Sequence, residues 1–398
     1  MSGARPAHGA GGARGATPAL ALLAALAYAS FGTVFQVLPP FFDDLARELG
    51  AGPARIGLSM TAFLAPVALT SLLLGAAVDR HGSARAGRAG FALLLTGGMA
   101  TALAGSMGVL LAGRALAGLG GGMVLLATLK LLAIRVPAAR LGRAFGIFVA
   151  GLPVGTGIAF DALNRLSSWR LSAAAAATLV VPAGLAFTAL GSPESEARPP
   201  RPPRSLRADL AALRALPAVP LLTLLVVLGY TAIIAFTTWA PTRLVAYGGL
   251  APKTAALLAS LLLLIDIPFA PLWGRVSDCV GRRKPFIVAS FLAYGAGAVL
   301  VPTAARTGVV PLLLVVSAMG IGCAMFFPAT LAIPQAVVPG ALLGTAYGLL
   351  LAAQAVGMTL GPLALGLVFA HATIPAGFFV IAGIAAAGLA ASPRLRAA

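Results

Sequence analysis

A lone carboxylate interrupts an otherwise apolar stretch, Leu261-Leu262-Leu263-Leu264-Ile265-Asp266-Ile267-Pro268. Placing an ionised side chain at the centre of a membrane helix costs about 2.5–3.5 kcal/mol on insertion scales, so such groups face the protein interior. At that depth Asp266 can carry a proton, bind a cationic solute or pair with a cation, and Pro268 and Pro271 free backbone carbonyls beside it. The static alternatives are an interhelical ion pair or a protonated acid that only donates a hydrogen bond. Two cations sit in comparable apolar runs. Arg114 can join a polar network or serve structure, and Lys130 can bind an anion or snorkel to the interface.

Weaker polar candidates surround these. Tyr28, Gly32 and Gln36 share one helix face at i, i+4 spacing. Tyr230, Thr231 and Trp239 lie along a later run, where a tryptophan near the end also suits a membrane-interface anchor, and Gln354 is a polar group in need of a partner. Asp161 and Asn164 fall near the end of a fifth run, at an outer gate or at the interface.

A pattern of glycine and aspartate occurs twice. Gly75-Ala76-Ala77-Val78-Asp79-Arg80-His81-Gly82 in the first half matches Gly274-Arg275-Val276-Ser277-Asp278-Cys279-Val280-Gly281-Arg282-Arg283 in the second. The first glycine of each copy lies one helical turn before the aspartate, permitting close backbone approach on the face from which the carboxylate projects. A carboxylate there can cap a neighbouring helix N-terminus and pair with an arginine.

The elements that must position these residues follow from composition. With 60% hydrophobic and 10% charged residues and a mean hydropathy of +0.99, the chain needs lipid as its solvent. A helical span takes roughly 20 apolar residues, so 398 residues accommodate about twelve. Breaking the sequence at polar clusters predicts spans at 18–42, 55–77, 87–107, 109–134, 144–165 and 171–191, then at 218–240, 251–273, 284–304, 309–332, 344–367 and 373–391. The organisation expected is a tail (1–17), a six-helix half (18–191), an extended Pro- and Arg-rich linker (192–217), a second six-helix half (218–391) and a short tail (392–398). The first apolar run continues through Val37 and Leu38 to Phe42, too long for a cleaved signal, and is read as an uncleaved first helix.

Loop cations set the orientation. Nineteen of the 28 Lys and Arg residues fall on the side of the termini and linker, against seven on the other side, which predicts both termini in the cytoplasm and an integral protein of the cytoplasmic membrane. The formal charge of +18 comes from these short clusters rather than from one soluble basic face, so nucleic-acid binding is not expected. Cys279 and Cys323 have no metal-ligand spacing, and no P-loop or nucleophile elbow is present. A nucleotide-driven pump, an enzyme and a cofactor protein are therefore not expected.

The repeated element resembles the GxxxD(R/K)xGRR signature of the major facilitator superfamily, between helices 2 and 3 with an echo between helices 8 and 9. Arg114-Ala115-Leu116-Ala117-Gly118-Leu119-Gly120 is similar to the RxxxGxG pattern of helix 4, and Gly357-Met358-Thr359-Leu360-Gly361-Pro362 to the GxxxGP element. The resemblance implies an all-α membrane fold of twelve helices in two halves, functioning as a monomeric secondary transporter by alternating access. It also implies a gate of Gly75, Asp79, Arg80 and Gly82 with Gly274, Asp278, Gly281, Arg282 and Arg283. In this reading Asp79 meets the start of helix 11 near Gly344 and Thr345, and Asp278 makes the matching contact at helix 5. Helices 1, 4, 7 and 10 then surround the cavity.

Of two substrate readings, the first is the expected one and the second its alternative. One is a small solute, in particular a small anion held by Arg114 or Lys130, which Trp239-Ala240-Pro241-Thr242-Arg243-Leu244 favours by its similarity to the WxPxxL stretch of small-anion facilitators. The other is proton-coupled efflux of a hydrophobic compound through Asp266. A transport-dead receptor or scaffold is a third class, against which both gate motifs argue.

Overall fold

The computed structural model describes residues 10–51, 53–190 and 205–395, and all regular structure among them is helical. The first half comprises α1 (Ala10–Gln36), the short α2 (Phe42–Leu49), α3 (Pro53–His81), α4 (Ser83–Ala102), α5 (Met107–Arg135), α6 (Ala138–Gly157), α7 (Trp169–Thr178) and α8 (Val180–Leu190). After α9 (Leu206–Arg214), the second half comprises α10 (Ala218–Gly248), α11 (Pro252–Leu264), α12 (Asp266–Val280), α13 (Lys284–Thr307), α14 (Val309–Val337), α15 (Leu343–His371) and α16 (Ile374–Ala391). The pair α7 and α8 makes one span, and so does the pair α11 and α12.

Eleven of these helical stretches are long and apolar enough to cross a membrane. The twelfth expected span is α4, whose Arg85, Arg88 and four glycines lower its hydropathy although its 20 residues match a bilayer. It covers Ser83–Ala102 rather than 87–107, because the chain leaves the helix at Leu103 and Ser106 caps α5 through the Val109 N–H. Outward-facing Leu22, Leu69, Leu185, Val310 and Leu314 suit hydrocarbon and not water. Between helices, small residues permit contact: there is no room for a methyl group at Gly97, against the Ala117 backbone, or at Gly120, against Leu94.

The linker departs from the extended reading over its second part. Ser205 accepts the Ala208 N–H at 3.2 Å, and Leu206–Arg214 forms a helix that buries Leu213 and packs against α3, α10 and α15. Apolar Leu206, Leu210 and Leu213 recur at helical spacing once the prolines end at Pro203, and this allows the helix. Residues 192–204 and most of the N-terminal tail lie outside the described residues.

The two halves meet along α3 against α15 and α6 against α12. These pairs are equivalent under the repeat. Gly82 and Gly281, the last glycines of the two motif copies, both take positive φ (87° and 70°), though with different ψ (149° and 9°), so each copy turns the chain at a glycine.

Candidate functional site

The break between α11 and α12 falls at Ile265, immediately before Asp266. Pro268 lacks the N–H that would meet the Leu264 carbonyl, and Pro271 the one that would meet Ile267, so the helix loosens where the carboxylate leaves it. Asp266 is 2% exposed, and its Oδ1 has no hydrogen-bond partner among the described residues. Tyr28 of α1, Tyr230 of α10, Tyr294 of α13 and Cys323 of α14 are close enough to feel its charge. The Tyr294 hydroxyl is likewise unpartnered.

Around this carboxylate the two halves share a polar and aromatic cluster. Gln354 of α15 donates from Nε2 to the Tyr28 hydroxyl at 3.4 Å and lies 3.8 Å from the Met358 Sδ. Tyr28 stacks on Phe148 with centroids 4.5 Å apart, and Tyr230 leans on Phe327 at 4.7 Å. Each of these side chains lies near the middle of its span, at the depth where alternating access places a solute.

The two intramembrane cations are elsewhere. Arg114 donates to the carbonyls of Val34 (2.7 Å), Phe35 (2.8 Å) and Ser59 (3.2 Å), and its guanidinium lies 4.4 Å from the Phe63 ring centroid. All of these partners belong to the first half. Lys130 donates to the Val78 carbonyl at 2.7 Å, beside the first motif copy. Gln36, partly exposed, ends α1 two turns beyond Tyr28, and Thr231 returns its hydroxyl to the Val227 carbonyl. Trp239 donates to the Pro362 carbonyl at 3.0 Å and packs against both Arg243 and Phe369, which also touch each other, tying α10 to α15. The Asp161 and Asn164 side chains lie outside the described part.

On the side of the chain ends the halves are in close contact. The Asp278 carboxylate accepts the backbone N–H groups of Gly142 (2.9 Å) and Arg143 (2.8 Å) on α6, and takes the Arg283 guanidinium at 2.5 Å. Arg283 also reaches the Ala138 carbonyl, while Gly274 packs directly on Gly142. Across the repeat, a methyl group on Gly75 would lie 2.7 Å from the Thr345 Cα and 2.9 Å from the Gly344 carbonyl oxygen. The Asp79 and Arg80 side chains lie outside the described part; Arg282 is exposed next to Arg283.

Sequence reasoning missed Gln335, which donates to the Ala133 and Val136 carbonyls (2.6 and 3.0 Å) and so fastens α14 to the end of α5. It also missed Tyr294 and Cys323. The test that singled out Gln354, a polar side chain inside an apolar run, applies equally to all three.

The model of the Major Facilitator Superfamily matches residues 20–251 and 244–396. The chain belongs to the major facilitator superfamily. No curated protein sequence matches it. Among solved structures it is similar to the proton:xylose symporter XylE bound to 6-bromo-6-deoxy-D-glucose, with TM-score 0.75, 14% identity and 95% of each chain covered. It is also similar to the human organic anion transporter MFSD10 (TETRAN), with TM-score 0.75 and 17% identity over 96% of this chain and 99% of that one. At those identities the likeness concerns the fold. As a superfamily member the chain is an integral membrane transporter of a small solute, not an enzyme.

Proposed function

We propose that this superfamily member is a proton-coupled transporter of an uncharged or cationic, largely apolar solute, with Asp266 as the coupling carboxylate. The observation that carries the reading is a buried acid at a helix break, lacking a cation partner among the described residues and lying near Tyr28, Tyr230 and Tyr294, from both halves. Such a group can exchange a proton without first breaking an ion pair. The aromatic faces of Tyr28, Phe148, Tyr230 and Phe327 suit an apolar or cationic compound.

A small-anion substrate needs a positive charge in the cavity, and Arg114 and Lys130 were the groups available to supply it. Both are engaged by backbone carbonyls of the first half. Their positions therefore favour the proton-coupled reading over the anion reading. In this proposal both termini are cytoplasmic, in the cytoplasmic membrane, as the loop cations indicate. The contacts of Asp278 and Gly75 then form the cytoplasmic gate, with Asp79 and Arg80 at its first copy, and the structure is of a state closed on that side.

The test is transport by purified protein in liposomes. Asp266→Asn should lose accumulation driven by a proton gradient while keeping counterflow, the exchange of labelled for unlabelled solute that moves no net proton. Wild-type accumulation in this variant would refute a coupling role for the carboxylate.

A further inference from the structure

A cavity of about 380 Å³ opens away from the central cluster, at the ends of three spans on the side of the chain ends. Its apolar floor is Pro18 and Ala21 of α1 with Ile147 of α6. Arg140 and Arg143 of α6 and Arg275 of α12 form the charged part, and all three are exposed. None of the three makes an ion pair among the described residues. The acid at the wall, Asp278, is already satisfied by Arg283 and two backbone N–H groups, so among the described residues nothing compensates the positive charge near the start of α6.

We propose that this cavity binds the phosphate of an anionic phospholipid headgroup. Arginine guanidinium groups match phosphate oxygens bidentately, and three of them converge here from both halves of the molecule. The depth fits a headgroup, because Pro18, Arg140 and Cys279 lie at or beside the ends of their spans. The apolar floor accommodates the first carbons of the lipid below its phosphate. A phosphate held by Arg140 and Arg143 on one side and Arg275 on the other bridges the halves beside the contact of Asp278, and so favours the state in which they touch. This inference stands apart from the role of Asp266.

Exposed Cys279 lines the cavity, whereas Cys323 is buried, which supplies a native reporter. The full chain is placed in nanodiscs of phosphatidylcholine alone or with rising phosphatidylglycerol, and the rate of maleimide modification of Cys279 is measured. Phosphatidylglycerol should slow the reaction several-fold. Replacing one arginine, as in Arg275→Gln, should raise the phosphatidylglycerol fraction needed for half protection about fivefold, and Arg275→Lys, which keeps the charge but not the fork, should restore only part of the protection. Equal rates with and without phosphatidylglycerol would overturn the proposal. Equal protection by inorganic phosphate in phosphatidylcholine nanodiscs would overturn the lipid as its source. Thermal unfolding of each variant in phosphatidylcholine identifies misfolded protein, and Arg140→Gln then supplies an independent second variant.

Discussion

The Asp278 carboxylate, carried by the second half, accepts the backbone N–H of Arg143, carried by the first, at 2.8 Å. The same carboxylate takes the Gly142 N–H and the Arg283 guanidinium, so one side chain joins two helices that must separate if the halves are to rock apart. Hydrogen bonds to a charged group contribute about 1.5–3 kcal/mol each. Asp278→Asn keeps one acceptor but loses the charge, and should shift the closed-to-open ratio about tenfold or more toward open. Spin labels at Ala139 and Val280 would report this as a longer distance population. An unchanged distribution would remove Asp278 from the gate.

A steric prediction separates packing from charge at the same place. A methyl group at Gly142 would lie 2.6 Å from the Arg283 Nη1 and 2.7 Å from both the Asp278 Oδ1 and the Gly274 carbonyl oxygen. Gly142→Ala should therefore lengthen the same label distance without altering any charge. Gly281→Ala meets nothing within 4 Å and only strains a left-handed backbone, by about 1 kcal/mol, so it should lower thermal stability slightly and leave the distance in place.

Arg114 is the side chain whose loss should be most damaging to stability. Replacement by Met strands the Val34 and Phe35 carbonyls at the end of α1 away from water, at about 1–3 kcal/mol for each unsatisfied group, and removes a second bond from the Ser59 carbonyl inside α3. The expected outcome is a large fall in melting temperature, only partly rescued by Arg114→Lys, because an ammonium is a point donor and not a planar fork. A variant with normal stability that lost only its solute-induced thermal shift would instead make Arg114 a binding residue.

Topology is testable without a substrate. With Cys279 and Cys323 replaced, a cysteine at Ser205 should resist an impermeant maleimide in intact cells while one at Gly249 reacts. Reversed labelling would invert the orientation, and with it the assignment of the Asp278 contact to the cytoplasmic side.

Membrane solvent, helical class and the duplicated architecture are determined by the sequence alone, because they depend on quantities additive along the chain. Apolar runs long enough for a bilayer have no other stable home, and a recurring GxxxDxxG exposes the duplication without any contact being known. Asp266 stands out for the same reason, as a charge whose cost is visible in one dimension. What it meets is not. Whether Arg114 or Lys130 reaches Asp266 depends on the rotation and crossing of several helices, and only the tertiary structure assigns both cations to backbone carbonyls and leaves the acid with tyrosines. The helix Leu206–Arg214 and the arginine-lined cavity belong to the same class. Each arises where side chains distant in sequence converge, and composition carries no record of which of them do so.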